Sequence, residues 1–243
     1  MKKLTAILFL ALSYTVTTQS QSWWGSKKVT GNGTMTTVTR NVQRFDKVSV
    51  GGSFDVVLTD GNEGKITIEG EENIIPYVET EVHNGKLKIN FKNNTNIRTT
   101  KKLLVTVAFN ELESVSLGGS GNVKVTKEIS NSDVSFSVGG SGNISALVGA
   151  NTIKASIGGS GNIKLEGKTN DLKCSIGGSG NIKAYELKTN NLKASIAGSG
   201  SIQTHVTSNI KASIVGSGSI YYKGKPNSID TTSLGSGDVV NKN

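Results

Sequence analysis

Cysteine is almost missing from the chain: Cys174 is the only one in 243 residues. No internal disulfide can therefore brace the fold, and stability has to come from packing and hydrogen bonds. Proline and histidine each occur twice. His83 and His205 stand far apart and lack metal-ligand spacing. Aromatic residues make up 5% of the chain, and outward strand positions carry few rings on which bases could stack, which argues against nucleic acid as a partner. After the first 20 residues no apolar run is long enough to cross a bilayer, so no transmembrane segment is expected in the mature chain. A stripe of apolar residues at 3.6 spacing is also missing, which excludes a helical domain.

What is present begins with a leader. Lys2 and Lys3 precede an apolar run from Leu4 to Val16, and Thr18-Gln19-Ser20 offers small residues for a cut after Ser20. That order is a secretory signal peptide, so residues 1–20 are expected to be removed and the rest exported to the periplasm, the cell surface or the medium. The apolar run is too short for a membrane span. No cysteine follows it, so the usual lipid attachment is not available. The formal net charge of +9 falls to +7 without the two leader lysines. The organisation expected is an arm over residues 21–39 and a single β domain over 40–243, irregular in 40–112 and regular in 113–243.

The regular part is a repeat. Gly-Ser-Gly recurs at Gly119, Gly140, Gly159, Gly178, Gly198, Gly216 and Gly235, at steps of 21, 19, 19, 20, 18 and 19 residues. Asn122, Asn143, Asn162, Asn181, Ser201, Ser219 or Asp238 follows, and then a branched apolar residue. Between the corners apolar and polar residues alternate, as in Leu172, Cys174 and Ile176 with Lys173 and Ser175 between them. Period-two alternation means strands with one buried and one wet face. A unit of this size cannot bury its own apolar face, so neighbours must stack in register. Nineteen residues at roughly 3.3 Å each make a loop of about 60 Å, one coil of a three-sided β-helix. Seven coils at about 4.8 Å give a rod near 30 Å long. A propeller blade needs about 40 residues, and a leucine-rich repeat needs a ladder absent here. The fold class is all-β, a parallel solenoid. Stacked Asn and Ser should pass side-chain hydrogen bonds between coils. Where Ala197, Val215 and Leu234 replace the first corner glycine, a looser corner is expected.

Ahead of the repeats, Phe45–Val50, Phe54–Thr59, Lys65–Glu69, Lys86–Phe91 and Leu103–Phe109 each alternate, with turn signals at Asp60-Gly61-Asn62 and Asn84-Gly85. This half reads as the start of the same solenoid with longer coils, and Glu72 to Val78 as a short helical turn. The opening Arg40 to Val56 (R-x-V-x-x-F-D-x-V-x-V-x-G-S-F-D-V), Asn84-Gly85-Lys86-Leu87 and the G-S-G-N-I series resemble the putative auto-transporter adhesin, head GIN domain family. The resemblance covers about Asn32 to Asn243. It implies a right-handed single-stranded β-helix exported to the cell envelope, with no established activity and no functional residues to carry over.

Gly-Gly-Ser-Gly-Asn looks like the start of a calcium-binding nonapeptide, but the period is near 19 and the sixth place holds Ile or Val. Its amides and hydroxyls are poor Ca²⁺ ligands beside carboxylates. The glycine loops lead into strands rather than helices, which excludes a phosphate cradle. No cofactor is expected. Glycan cleavage needs paired carboxylates. Asp133 and Asp171 occupy matching places with Thr152 between them, in a column of turn residues, and the other acids read as scattered. Catalysis is therefore not expected, and a carbohydrate-active β-helix is the alternative. Cys174 shares its column with Val115, Phe136, Ala155, Ala194, Ala212 and Thr231, which makes it a core residue. Lysines are the remaining candidates. Lys154, Lys173, Lys193 and Lys211 share one outward column, and Lys124, Lys164 and Lys183 lie in another. Stacked like charges cost a few tenths of a kcal/mol per pair. Solubility and edge protection would explain them. A basic stripe for an acidic glycan or an envelope surface is the functional reading.

Overall fold

The computed structural model describes residues 27–243. The leader, Trp23 and Trp24 lie outside the described residues. Among the described residues almost all regular structure is strand, with a single 3-10 turn at Ile75–Tyr77. That turn falls inside the segment read as helical, and Pro76 sits in its first positions, where a missing N–H costs nothing.

The strands in chain order are β1 (Lys27–Thr30), β2 (Met35–Asn41), β3 (Lys47–Gly51), β4 (Asp55–Thr59), β5 (Lys65–Glu71), β6 (Val78–His83) and β7 (Lys86–Phe91). There follow β8 (Thr95–Arg98), β9 (Leu104–Ala108), β10 (Ser114–Leu117), β11 (Asn122–Val125), β12 (Ile129–Val138) and β13 (Asn143–Ile157). The last are β14 (Asn162–Gly178), β15 (Asn181–Gly198), β16 (Ser201–Gly216), β17 (Ser219–Lys223), β18 (Ser228–Gly235) and β19 (Val239–Asn241). Strands β10 to β19 stack in parallel, each coil on the last, and the whole solenoid makes about seven turns.

Register follows the repeat. Ile157, Ile176, Ile196 and Ile214 pair directly across successive strands, as the apolar columns require. Val123, Ile144, Ile163, Ile182, Ile202 and Ile220 form a second buried column across the corner. Because side chains alternate, the same strands that bury these residues must send Lys164, Lys173 and Ser175 outward.

The Gly-Ser-Gly corner is held by a doubled hydrogen bond. The carbonyl of Gly159 accepts the N–H groups of Ser179 at 3.0 Å and Gly180 at 3.1 Å. This brings corner backbones so close that a Cβ on Gly161 would stand 2.2 Å from the Gly142 carbonyl and 2.7 Å from Val138 Cγ1. The preceding glycine is different. A Cβ at Gly139 or Gly158 meets nothing within 4 Å, because that position faces solvent. This corrects the expectation of a looser corner at Ala197 and Val215; at Leu234 the corner is looser, since Gly216 O accepts only Gly237 N, at 3.1 Å. Gly198, next to Ala197, still accepts Ser217 and Gly218 at 3.0 Å each.

The first half departs from a plain run of coils. In space β3 lies between β7 and β10, and β4 lies between β9 and β11. The coil of β7 and β9 therefore sits outside the coil that precedes it in sequence. Antiparallel strands then cover the rod end: β6 on β7, β5 on β9 and β2 on β5. The Asn84-Gly85 turn explains the reversal of β6 onto β7, since both residues have positive φ, 50° and 72°, as a tight two-residue hairpin demands. Strand β1 pairs in parallel with β8 in a separate two-stranded sheet. Glu71 ties these pieces together, accepting bonds from Gly33 N at 2.7 Å, Thr100 N at 2.8 Å and Thr100 Oγ1 at 2.6 Å.

Candidate functional site

Lys154, Lys173, Lys193 and Lys211 are placed in one outward column by direct strand register. Upstream the same column holds Lys47, Ser114 and Ser135, and downstream Asp230. Lys211 Nζ lies 3.5 Å from Asp230 Oδ2, while Lys154, Lys173 and Lys193 have no acidic partner within 4.0 Å among the described residues. Beside them runs a hydroxyl column of Ser137, Ser156, Ser175, Ser195 and Ser213. The other predicted lysines are split. Lys164 and Lys183 pair across β14 and β15, but Ser145 separates Lys164 from Lys124. Lys164 is bound to Glu166 at 2.7 Å, which raises its pKa through that hydrogen bond. The second column is thus partly neutralised.

Two amide ladders run along the rod. At the corner, Asn181, Asn162, Asn143 and Asn122 each donate Nδ2 to the coil before, at 2.8–2.9 Å, and the chain ends on Asp55 Oδ1. Ser201 Oγ extends it at 2.7 Å, and Lys102 neutralises Asp55 at 3.2 Å. At the opposite corner Asn209 donates to Asn191 and Asn191 to Asp171, and alongside them Asn190 donates to Asn170. All members point the same way, so the bonds polarise one another.

A further basic column was not read from the repeat. Lys168 and Lys188 are partners in register, followed by His205 and Lys223. The register slips between Lys164 and Gly167 and again between Ala184 and Lys188, so counting from the Gly-Ser-Gly corner misaligns them. The identical Lys168-Thr169-Asn170 and Lys188-Thr189-Asn190 triplets were the available signal.

The acids are less scattered than the sequence suggested. Asp46, Glu63, Glu111 and Glu113 gather with Arg44 around a cavity of about 280 Å³. Three of the four are held by structural contacts. Glu63 accepts from Phe45 N at 3.0 Å and Asn110 Nδ2 at 2.8 Å. Asp46 and Glu113 sit 3.3 and 3.2 Å from Lys47 Nζ, and these two contacts, Glu113 first, raise the Lys47 pKa. Asp133 and Asp171 share a column through Thr152, two coils apart. Cys174 is buried between Ala155 and Ala194, and burial pushes its thiol up to about 12, which removes it as a nucleophile. No group of three or more His, Cys, Asp or Glu among the described residues is arranged to hold a metal ion. Among the described residues no helix is long and apolar enough to cross a membrane.

No curated protein matches the chain. It is similar in structure to a putative adhesin from Bacteroides fragilis, with 26% identity, 88% of this chain and 100% of that one covered, and a TM-score of 0.83. A putative lipid binding protein from Parabacteroides distasonis follows at 27% identity, 89% and 100% coverage and a TM-score of 0.75. A putative adhesin from Parabacteroides merdae matches at 26% identity, 89% and 100% coverage and a TM-score of 0.70. The model of the putative auto-transporter adhesin, head GIN domain matches residues 44–226. The chain belongs to that family.

Proposed function

We propose that this chain is an exported, non-catalytic binding module of the cell envelope that holds an acidic polymer or an anionic surface along its rod. One observation carries the reading: Lys154, Lys173 and Lys193 stack in register on an outward face with no carboxylate within 4.0 Å among the described residues. A chain selected only for solubility gains nothing from aligning like charges on adjacent strands, which is unfavourable. Alignment does serve a ligand whose own charges repeat. The adhesin names of two structural neighbours fit a surface-binding role, and the lipid-binding name of the third fits anionic headgroups.

The test is a quadruple variant, Lys154, Lys173, Lys193 and Lys211→Gln, compared with the wild type on immobilised acidic polysaccharide and on anionic vesicles. Binding should weaken steeply with salt, because exposed charges are screened within about 8 Å at physiological ionic strength. It should be lost in the variant while the melting curve is kept. Wild-type binding that survives in the variant removes the face from consideration.

A carbohydrate-active reading has one observation in its favour, the four carboxylates beside Arg44. Against it, Glu63 is locked to the backbone of Phe45, and Asp46 and Glu113 are committed to Lys47. Release of reducing ends from acidic polysaccharides, lost in Glu111→Gln, would establish that reading instead.

A further inference from the structure

We propose that the recess beside the lysine face is a built site for a linear glycan carrying carboxylates on some of its units, laid parallel to the rod axis. The proposal rests on the polyanion reading above and extends the contact from the flat face into the groove beside it.

The groove arises from missing side chains in two columns. In one, Ser114 and Ser135 stand between Lys47 and Lys154. In the other, Ser130 and Gly149 precede Lys168 and Lys188. Short residues bounded by long basic ones leave a trench. Its two parts, of about 380 and 570 Å³, meet at Asn131 and Ser132. From Lys47 on β3 to Lys188 on β15 it crosses six coils, about 24 Å at the usual strand spacing. An open trench of this length fits an extended chain. A flat bilayer would meet the ridges and leave the floor empty.

The lining supplies what a sugar polymer needs. Among the described residues Lys154, Lys168 and Lys188 have no acidic partner within 4.0 Å, so they can meet carboxylates. Asn131, Asn151, Asn170 and Asn190, with Ser132 and Thr152, can donate to or accept from ring hydroxyls. Two of these amides are fixed in advance: Asn190 Nδ2 donates to Asn170 Oδ1 at 2.8 Å, and Asn170 Nδ2 to Asp171 Oδ2 at 3.0 Å. Preorganised donors lower the ordering cost of binding. The trench also holds acids. Glu113 and Asp133 line its first half, and Glu128 Oε1 reaches the space above Gly149. A uniformly charged polyanion would meet repulsion there. Neutral units alternating with acidic ones place hydroxyls on the carboxylates and carboxylates on the lysines.

The probe is a set of hyaluronan oligosaccharides, in which a uronate alternates with a neutral amino sugar, titrated into the mature chain at low salt. Lys168→Gln with Lys188→Gln should weaken binding about tenfold or more. Gly149→Leu, which blocks the floor without changing charge, should do the same. The backbone there leaves a Cβ only the flexible end of Glu128 to displace, at 2.8 Å. Lys65→Gln with Lys225→Gln, two exposed lysines outside both the groove and the lysine face, should change affinity little, and all variants are checked by thermal melting. Loss in Lys173→Gln with Lys193→Gln, with the groove variants unaffected, overturns the groove and leaves the proposed function standing. Stronger binding to phosphatidylglycerol vesicles than to hyaluronan, equal across variants, also overturns the groove. No wild-type binding to either probe overturns both readings.

Discussion

Three glycines within four residues make opposite demands, and alanine substitutions separate them. Alanine at Gly158 adds a methyl that meets nothing within 4 Å. At Gly159 the methyl stands 2.4 Å from the Gly140 carbonyl oxygen. At Gly161 it stands 2.2 Å from the Gly142 carbonyl oxygen and 2.7 Å from Val138 Cγ1. The obstacle at the last two is backbone of the neighbouring coil, which cannot rotate away. Relief requires the coils to part, and Gly140 O would then release the N–H groups of Ser160 and Gly161, now at 3.0 Å each. Overpacking costs about 1–3 kcal/mol, and one strained hydrogen bond adds about 1 kcal/mol. Gly159→Ala and Gly161→Ala should therefore each lose about 3 kcal/mol. For a chain of this size that lowers the melting temperature by about 6–12 °C. Gly158→Ala should change stability by no more than about 0.5 kcal/mol, as at most exposed sites. Thermal melts of the mature variants by far-UV circular dichroism decide the matter. Equal losses at all three positions, or a silent Gly161→Ala, would refute the stacked-corner argument.

Other perturbations probe separate parts of the rod. Cys174 should react with a thiol reagent far more slowly in the native chain than in urea, and Cys174→Ala should cost about 1 kcal/mol at most, since Ala155 and Ala194 flank it. Asn162→Ala breaks ladder bonds to both Asn143 and Asn181, and urea midpoints should report a loss of about 1–2 kcal/mol. Glu71 is held at about 2, foremost by the Thr100 hydroxyl, then by the Thr100, Gly33 and Lys101 amides, against its burial. Because its folded pKa lies below the ordinary 4.5, its contribution is complete above that pH and fades as pH falls towards 2. Glu71→Gln should flatten the stability profile across that window, measured by denaturant titration at stepped pH.

The repeat made most of the solenoid legible. Seven Gly-Ser-Gly corners and strict alternation gave the buried columns, the Asn122 to Asn181 ladder and the Lys154 to Lys211 register, because stacked coils turn sequence period into spatial adjacency. The first half was less readable, because antiparallel strands alternate in the same way as parallel ones. Alternation in β5 and β6 could not say that they fold back as a cover. The corner residue at Ala197 and Val215 misled for a related reason: a glycine column can reflect close packing or mere tolerance, and only geometry tells them apart. Lys168 and Lys188 escaped because one extra residue between Lys183 and Lys188 breaks the count. The acids around Arg44 escaped because Asp46, Glu63 and Glu111 belong to different turns of the chain.

The most direct test of the central claim, that the rod holds a polymer along its length, is affinity against ligand length. Hyaluronan fragments from one disaccharide upwards are titrated calorimetrically into the mature wild-type chain at two salt concentrations. The account predicts affinity that climbs with each added unit until the fragment spans about 24 Å, then levels off, with all values weakened by salt. A single disaccharide that binds as tightly as the longest fragment, or binding indifferent to salt, would contradict it.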